Sequence, residues 1–369
     1  MSSMNHDRRE YMDISSRENV EVPFTLSKPS KKTHSFVTFF DSGYLSRGLA
    51  LIESMREQGD SSSVLVVCID EKTYKLLELK ADELNLECTT IDRLIGTYPD
   101  LVTAKGNRSA VEFYFTLTPF LLRYALIGKP QNHIVVYLDA DLYFFSSPLS
   151  VISTLETFSV ALIEHNYPWF LRSLEAKYGT YNVGLLAFKH DEDGIRVLDW
   201  WSARCIEWCQ DYPENGKYAD QGYLNHFSLL TEKIQILNNP GFNLAPWNSA
   251  SSKLRVDASK VKVNNYNLTF FHFHGLKHVG RWWISSQLNY YSPMTRRIFL
   301  AIYGGYVQHL KAIESQYDVN PSSATLVKRQ GVGFRGILTN TARTVFRLLS
   351  IVTGQAIRDK YINIKEREV

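Results

Sequence analysis

Two aspartates stand one residue apart directly after an apolar run. The run covers residues 134–138, the carboxylates are Asp139 and Asp141, and apolar residues resume at Leu142. Aspartate disfavours strands and is seldom buried without a partner. Ligands of open α/β sheets bind at the carboxyl ends of strands, which is where this pair falls. We therefore expect a divalent cation that binds a phosphorylated substrate, with a solvated turn as the alternative.

A histidine-rich segment near residue 272 offers further ligands. His272 and His274 alternate and would share one face of a strand, and Gly275 and Lys277 follow. Carboxylate oxygens suit Mg²⁺ or Mn²⁺, and an added imidazole favours Mn²⁺. We expect His272 to be the third metal ligand, with His274 as the alternate. Lys277 is placed to neutralise a diphosphate, which the backbone could approach at Gly275. The alternative is a pair of hydrogen-bonded histidines near a turn.

Two further pairs of residues, each with one side-chain amide, complete the set of candidates. Asp220 and Gln221 precede a predicted helix, and Asn182 and Gly184 lie in a predicted strand. A carboxylate and an amide could bind sugar hydroxyls, but an aspartate at a helix start is equally typical of an N-cap. Asn before Gly often marks a bend or a bulge. Both readings stay open for each pair.

The elements that must position these residues alternate between strand and helix. Buried strands at 35–40 and 64–69 are each followed by a helical pattern, and hydrophobic residues make up 44% of the chain. This predicts an α/β fold with a mostly parallel central sheet and helices on both faces. The further elements expected are helices over 71–86, 112–126 and 193–210 and strands that carry the Asp139/Asp141 pair and residues 181–188 and 269–274.

Charge and cysteine content limit the function classes. Residues 328–369 contain nine Lys or Arg against three acids. A nucleic-acid-binding protein would spread positive charge over its main domain, so we expect no nucleic-acid partner. The four cysteines form no Cys-x-x-Cys motif, and no signal peptide or spanning segment is visible. We expect a cytoplasmic protein, with the inner face of the membrane as an alternative location.

The basic tail contains a helical apolar stripe. An amphipathic helix with this charge could lie on an anionic membrane, and a terminal helix packed on the catalytic domain is the alternative. The stripe consists of Leu338, Ala342, Val345, Leu349 and Val352.

Taken together, these motifs resemble the GT-A glycosyltransferases, and most closely a distant branch of the glycogenin-like family 8, which includes bacterial galactosyltransferases. Their order and spacing agree over residues 35–285. The matching residues are Asp41 with Tyr44, Tyr137 to Asp141, Asn182 with Gly184, Asp220 with Gln221, and His272 with Gly275.

The resemblance implies a role for each group of residues. A nucleotide-diphosphate sugar would be the donor, with its base and ribose near Asp41 and Tyr44. Mn²⁺, or Mg²⁺, would be held on the diphosphate by Asp139, Asp141 and His272. Asp220 and Gln221 would face the transferred sugar, with Asn182 as a further catalytic candidate, and the family retains anomeric configuration. The implied domains are a flexible arm over 1–33, a GT-A catalytic domain over 34–290 and a helical basic extension over 291–369.

Two departures separate the chain from the family pattern. The family has an arginine in the helix before the aspartate pair, and the helix here lacks it at the expected position. Lys105 or Arg108, just upstream, could supply that charge. The late motif is one residue short, because Lys277 comes early and His278 stands at the family's lysine position.

Three functions compete at this level. The first is a hexosyltransferase that transfers sugar to a glycan, lipid-linked or other hydroxyl acceptor, for example in a surface polysaccharide. A retaining reaction needs no fixed base, whereas an inverting one needs a carboxylate such as Glu164. The second is a sugar nucleotidyltransferase, disfavoured because residues 41–44 lack its Gly-rich basic loop. The third is a non-catalytic carbohydrate-binding protein on the same fold.

Overall fold

The computed structural model describes residues 33–155, 157–258, 260–319 and 344–360. Apart from Thr33, the predicted N-terminal arm lies outside these ranges. So do residues 320–343 and 361–369, which include Leu338 and Ala342 of the predicted stripe.

Fifteen strands occur in the described residues, and seven of them form the central sheet in the order β3-β2-β1-β4-β7-β6-β8. Strand β7 runs antiparallel to its neighbours β4 and β6, and the other pairings in the sheet are parallel. The strands are β1 (His34–Phe40), β2 (Val64–Cys68), β3 (Leu86–Thr90), β4 (Ile134–Leu138), β5 (Leu142–Phe144), β6 (Val160–Glu164), β7 (Tyr181–Lys189), β8 (Ile234–Leu237), β9 (Leu254–Asp257), β10 (Lys260–Val263), β11 (Tyr266–Asn267), β12 (Phe270–His272), β13 (Lys277–Val279), β14 (Trp282–Ile284) and β15 (Ala356–Arg358).

Helices cover both faces of this sheet. The α-helices are α1 (Leu45–Glu57), α2 (Glu71–Glu78), α3 (Ala81–Leu84), α4 (Ile91–Thr97), α5 (Asp100–Asn107), α6 (Ala110–Leu126), α7 (Leu149–Ile152), α8 (Ser173–Tyr178), α9 (Glu192–Glu207), α10 (Arg296–Phe299) and α11 (Gly305–Gln316). Short 3-10 helices span Trp169–Leu171, Gln221–Leu229, Ser249–Ser251 and Gln287–Tyr290, a π-helix spans Leu300–Gly304, and residues 344–352 are also helical.

The two-sided core follows from the alternation of side chains along each strand. In β1, Phe36 and Phe40 pack on the face that holds α1, whereas Val37 packs on the face that holds α6 and α9. Burial on both faces explains why the strands read as continuous apolar runs. The predicted α/β class, with a mostly parallel sheet covered on both faces, is confirmed.

The second layer of strands positions the candidate site. Strand β5 follows the aspartate pair and pairs antiparallel with β12, so that His272 stands opposite Leu142. The N–H of Phe273 also donates to the carbonyl of Asp141 at 2.9 Å. A chain segment 130 residues later in the sequence is thereby fixed beside the end of β4.

Some predicted elements have different bounds. The helix expected over 71–86 is wrong: α2 and α3 replace it, and β3 already begins at Leu86. Asn85 adopts a left-handed conformation (φ 46°), which ends α3 and turns the chain into the strand. The expected strand over 269–274 is confined to β12, so His274 lies beyond it.

The aspartate pair does not lie on a strand. Strand β4 ends at Leu138, and the N–H of Leu142 donates to the carbonyl of Asp139 at 3.1 Å, which closes a tight turn. The carboxylates are therefore brought together by this turn and not by strand alternation.

The C-terminal elements pack against the sheet domain. Helix α11 lies on α1, where His309 Nε2 is 2.7 Å from Glu53 Oε2. Strand β15 pairs with β14, which in turn pairs with β13. No helix in the described ranges combines the length and apolar character needed to cross a membrane. The predicted boundary at residue 290 stays a prediction.

Candidate functional site

The turn after β4 is held in place from both sides. The N–H of Asp139 donates to the carbonyl of Gly184 on β7 at 2.9 Å, and the hydroxyl of Tyr137 donates to Asp139 Oδ1 at 2.7 Å. Tyr137 is fully buried within β4, so its hydroxyl fixes the orientation of the carboxylate.

His272 faces both carboxylates. Its Nε2 lies 3.0 Å from Asp141 Oδ1 and 3.7 Å from Asp139 Oδ2. One ligand atom from each of the three residues can be chosen so that all lie within 4.8 Å of one another. We call Asp139, Asp141 and His272 the acidic cluster. Within the described part of the chain it is the one such group of three His, Cys, Asp or Glu.

Gly184 makes room for this arrangement. A Cβ atom at this position would lie 2.6 Å from Asn182 Oδ1 and 2.8 Å from His272 Nδ1, both closer than real contacts permit. The predicted Asn-x-Gly motif therefore has a steric function: a side chain at residue 184 would push His272 or Asn182 from its place.

The charges within the acidic cluster are complementary. Burial alone would lower the pKa of His272, but Asp141 and Asp139 raise it above the ordinary value. Burial raises the pKa of Asp141, and the charge and hydrogen bond of His272 outweigh this effect and bring it to about 2. The pKa of Asp139 is raised by burial, which His272 only partly offsets.

The donor set fits a divalent cation. Two carboxylates and one imidazole nitrogen are typical ligands of Mn²⁺, and hard oxygens also suit Mg²⁺. The imidazole nitrogen that would bind a metal faces the carboxylates, so a bound cation and a proton would compete for it. The three residues fit the predicted ion, and their role as its ligands stays a prediction.

The predicted nucleotide loop lies beside the acidic cluster. Asp41 Oδ1 accepts from the N–H of Tyr44 at 3.1 Å, and Asp70 accepts from the N–H of Ser42 at 2.7 Å. Burial and then the charge of Asp141 raise the pKa of Tyr44. The residue as a whole is 45% exposed, so part of its surface stays open to a ligand.

Arg47 is a residue of this region that the sequence did not indicate. Its side chain is buried in α1, with 5% of its surface exposed. The guanidinium lies 4.8 Å from the ring centroid of Tyr44, donates to the carbonyl of Leu276 at 3.0 Å and helps to lower the pKa of Asp141. A single arginine within a helix carries no sequence signal of burial, so only the packing reveals it.

Asp220 and Gln221, the residues predicted to face the sugar, lie near Asp139. Asp220 is buried, and its pKa is raised to about 7, first by burial and further by the charge of Asp139. Gln221 donates from Nε2 to the carbonyl of Tyr178 at 2.7 Å and accepts from Asn182 Nδ2 at 3.4 Å.

Asp220 takes the N-cap position of the 3-10 helix Gln221–Leu229 but makes no side-chain capping hydrogen bond, and its role at the transferred sugar stays a prediction. The expected helix is a 3-10 helix that begins at Gln221. Asn182 Oδ1 accepts from the N–H of Gly184 at 3.0 Å within β7.

His274 and Lys277 border the acidic cluster. The rings of His274 and His272 are 6.1 Å apart, and the charge of His274 contributes to the low pKa of Asp141. Lys277 is exposed at the start of β13, and its charge acts on His274, which is itself exposed just beyond β12. Trp247 packs its ring 5.0 Å from His272 and 5.5 Å from His274.

Two cations predicted to bind the donor, Lys105 and Arg108, contact other protein groups. Lys105 is exposed and lies 4.0 Å from Asp92. The Arg108 guanidinium donates to the hydroxyl of Thr116 and, at 2.5 Å, to the carbonyl of Ile206. Their role at the diphosphate stays a prediction, whereas Arg47 is a cation whose charge does act on Asp141.

Several solved structures resemble this fold at low similarity. The galactosyltransferase LgtC in complex with donor and acceptor sugar analogs has a TM-score of 0.44 and 15% identity, over 65% of this chain and 87% of that chain. Mouse xyloside xylosyltransferase 1 has a TM-score of 0.42 and 11% identity, over 66% of this chain and 98% of that chain.

Comparison of sequences gives the family. No family model matches the chain. The uncharacterized protein YfnD of Bacillus subtilis is 28% identical over 247 residues, which cover 66% of this chain and 78% of YfnD. The uncharacterized protein YfnF of the same organism is 30% identical over 253 residues, which cover 66% of this chain and 82% of YfnF. The chain belongs to the protein family of Bacillus subtilis YfnF.

Proposed function

We propose that the chain is a metal-dependent glycosyltransferase of the GT-A type, which transfers a hexose from a nucleotide-diphosphate sugar to a hydroxyl acceptor. One observation carries the proposal: Asp139, Asp141 and His272 present their ligand atoms within 4.8 Å of one another. They do so at the carboxyl end of β4 in a mostly parallel sheet, where ligands of open α/β folds bind.

The chemistry follows from the charge of the leaving group. Cleavage of a glycosyl–phosphate bond leaves a nucleoside diphosphate, whose added negative charge must be stabilised as it forms. Mn²⁺ or Mg²⁺, held by the acidic cluster, would supply this charge stabilisation. Lys277, whose charge acts on His274 beside the cluster, would add a second positive charge.

The donor nucleotide would lie over the loop 41–44. The exposed ring of Tyr44 offers a face for the base, and the loop conformation is fixed by Asp41 and Asp70. The guanidinium of Arg47 packs against the ring of Tyr44, and its positive charge acts on Asp141. We include Arg47 in the donor site for these two reasons.

The transferred sugar would face Asp220, Gln221 and Asn182. Gln221 is oriented by its contacts with Asn182 and the Tyr178 carbonyl, so its amide has a defined position. We favour a retaining reaction, in which the departing phosphate accepts the proton of the acceptor hydroxyl. In an inverting reaction a carboxylate such as Glu164 would have to act as the base.

The first experiment is a thermal-shift screen of nucleoside diphosphates with and without Mn²⁺. A ligand that binds the folded state raises Tm by linkage. We expect one nucleobase to raise Tm in the presence of Mn²⁺ and to lose this effect in Asp141→Asn. If no nucleoside diphosphate stabilises the wild-type protein with either Mn²⁺ or Mg²⁺, the proposal is wrong.

The alternatives give different outcomes in turnover. A sugar nucleotidyltransferase would consume a nucleoside triphosphate and a sugar 1-phosphate and release pyrophosphate. A carbohydrate-binding protein without catalysis would bind sugar but leave a donor intact. Slow hydrolysis of a nucleotide sugar, dependent on Mn²⁺, is the result that the glycosyltransferase proposal requires.

The proposal includes a peripheral contact with an anionic membrane, and so a cytoplasmic location at its inner face. Residues 344–352 form a helix in which Val345, Leu348, Leu349 and Val352 follow helical spacing and are between 44% and 83% exposed. Leu348 extends the stripe that the sequence predicted. The basic excess of residues 328–369 complements an anionic surface.

Vesicle co-sedimentation tests this contact. We expect binding to phosphatidylglycerol vesicles, weaker binding to phosphatidylcholine vesicles, and loss of binding when Leu348 and Leu349 are replaced by Gln. Equal sedimentation of the variant and the wild-type protein would contradict the proposed contact.

A further inference from the structure

Four half-buried tyrosines lie near the acidic cluster, outside the residues that the proposed function uses. Tyr167 follows β6, Tyr178 ends α8, Tyr218 precedes Asp220, and Tyr290 ends a 3-10 helix. We call Tyr167, Tyr178, Tyr218 and Tyr290 the tyrosine cluster. They come from separate segments of the chain, so the fold and not local sequence brings them together.

The rings are fixed by neighbouring aromatic side chains. Tyr178 meets Tyr218 edge to face at 4.7 Å, and Tyr167 stacks on His165 at 4.7 Å with an interplanar angle of 12°. Tyr290 contacts the ring of Trp247 at 6.3 Å. Such packing holds the tyrosines in place and reduces the entropy lost when a ligand binds.

His165 links the segments that carry the tyrosines, because its N–H donates to the carbonyl of Thr180 at 2.9 Å, two residues after Tyr178, and its ring lies 5.6 Å from the ring of Trp247. Burial raises the pKa of Tyr167, and the phenols of Tyr290, Tyr178 and Tyr218 raise it further. Burial, followed by the phenol of Tyr178, raises the pKa of Tyr290 to about 12. Each phenol is therefore close enough to sense the charge of another one.

Most of these hydroxyls remain available. Tyr218 donates to Asp211 Oδ1 at 3.2 Å. Within residues 33–155, 157–258, 260–319 and 344–360, the hydroxyls of Tyr167, Tyr178 and Tyr290 have no hydrogen bond to protein groups. Three hydroxyls of the tyrosine cluster are thus left for a ligand to bind.

The cluster is connected to both halves of the proposed active site. Gln221 donates to the backbone carbonyl of Tyr178 at 2.7 Å. Trp247, which contacts Tyr290, packs 5.0 Å from the metal-ligand candidate His272. The tyrosine cluster therefore adjoins the position proposed for the transferred sugar.

The chemistry of the cluster suits a neutral sugar ring. The C–H face of a pyranose packs on an aromatic ring, while phenol hydroxyls exchange hydrogen bonds with sugar hydroxyls. Glu175 and Asp211 border the cluster, and the cation Lys177 is placed over the Tyr178 ring at 4.8 Å. The negative charges of Glu175 and Asp211 would repel a phosphate group, so the cluster disfavours a phosphorylated acceptor.

We propose that the tyrosine cluster binds a neutral pyranose residue of the acceptor, with one of its hydroxyls directed toward Gln221. The identification of this sugar as the acceptor rests on the proposed function, whereas the binding site itself rests on the tyrosines. The proposal excludes a phosphate group as the part of the acceptor that the cluster recognises.

Saturation-transfer NMR on the full chain tests the site directly. The probes are methyl α- and β-glycosides of glucose and galactose, with glucose 6-phosphate as the anionic comparison. We expect transfer to at least one neutral glycoside and about fivefold less in Tyr167→Ala, which removes a ring face. Tyr290→Phe keeps the ring and should lose about half of the signal with the hydroxyl.

Tyr266→Ala is the matched control, because Tyr266 lies in β11 and is 51% exposed outside the cluster. It should leave the transfer unchanged, and a thermal melt of each variant confirms folding. The proposal is overturned if no neutral glycoside receives saturation, if glucose 6-phosphate receives more, or if Tyr167→Ala and Tyr290→Phe both match the wild-type protein.

Nucleotide binding in the same samples separates the two proposals. Glycoside transfer without binding of any nucleoside diphosphate in Mn²⁺ supports the tyrosine site and refutes the glycosyltransferase. Nucleotide binding without glycoside transfer refutes the tyrosine site and leaves the glycosyltransferase standing.

Discussion

Strand β4 has a cluster with buried histidine at each of its ends. At its start, His133 Nε2 is 2.9 Å from the hydroxyl of Ser35, and His34 Nε2 is 2.8 Å from the hydroxyl of Ser62. We call His34, Ser35, Ser62 and His133 the basal histidine cluster. At the other end of β4 lies the acidic cluster, where His272 faces two carboxylates.

His133 and His272, at the two ends of β4, differ in the groups that face their Nε2 atoms. Within the described ranges, Nδ1 of His133 and Nδ1 of His272 both lack a hydrogen-bond partner. Burial lowers the pKa of His133 to about 4, because a hydroxyl partner does not stabilise the charged form. Two aspartates raise the pKa of His272 despite similar burial. Burial of a histidine is therefore no sign of a metal site, whereas carboxylates at its nitrogen are.

The largest expected effect is the loss of transfer in Asp141→Asn. The substitution keeps the size of the side chain but removes the charge that a divalent cation needs, so turnover should fall by about 1,000-fold or more. Donor turnover with Mn²⁺ measures this effect. The control is Asp191→Asn at the basal end of β7, where Asp191 accepts from the N–H of Gly194 at 2.8 Å. Near-normal turnover of a folded Asp141→Asn variant would contradict the mechanism.

A smaller effect is expected for Gly184→Ala. Its Cβ would lie 2.8 Å from His272 Nδ1, so the imidazole must shift, and Mn²⁺ affinity should fall by about 10- to 100-fold. Unfolding free energy should fall by about 1–3 kcal/mol from overpacking.

Gly305→Ala is the matched control for the second prediction. Gly305 lies in α11 with nothing within 4 Å of its Cβ position, so alanine should raise stability by about 0.5–1 kcal/mol. Calorimetric Mn²⁺ titration and urea unfolding measure both variants. Unchanged affinity in Gly184→Ala would show that His272 does not need its present position.

The smallest effect concerns stability at the basal histidine cluster. The pKa of His133 is about 4 in the folded state against an ordinary 6.5, so the unfolded chain binds more protons between these values. The contribution of neutral His133 to the free energy of unfolding is therefore complete above pH 6.5 and is lost as the pH falls toward 4.

In His133→Gln this loss is absent. When the pH falls from 7 to 4, the unfolding free energy of the wild-type protein should fall by about 1–3 kcal/mol more than that of the variant. Urea unfolding at both pH values measures it, and turnover at pH 7 should be unchanged. Parallel pH profiles of the two proteins would contradict the assignment of His133 as a buried neutral histidine.

The sequence was sufficient to predict the acidic cluster because short motifs encode it. Asp139, Asp141 and His272 stand at the ends of apolar runs, and the ends of strands meet at one edge of the sheet. The turn that orients the aspartates was not predicted, because a strand and a tight turn after an apolar run look alike in sequence.

Other parts of the site depend on long-range packing. Arg47 is buried only because α1 meets the segment at Leu276, and the tyrosine cluster is assembled from separate loops. No spacing in the sequence encodes these contacts. Packing likewise sets the contacts of Arg108, whose guanidinium donates to Thr116 and Ile206, while its donor contact stays a prediction.

The most direct test of the acidic cluster is Mn²⁺ binding followed by electron paramagnetic resonance. Wild-type protein and His133→Gln should both bind the ion at one strong site, and Asp141→Asn and His272→Gln should lose it, because the acidic cluster supplies the ligands. Absence of Mn²⁺ binding to the wild-type protein in the presence of nucleoside diphosphates, or equal binding by all four proteins, would contradict the assignment of Asp139, Asp141 and His272 as metal ligands.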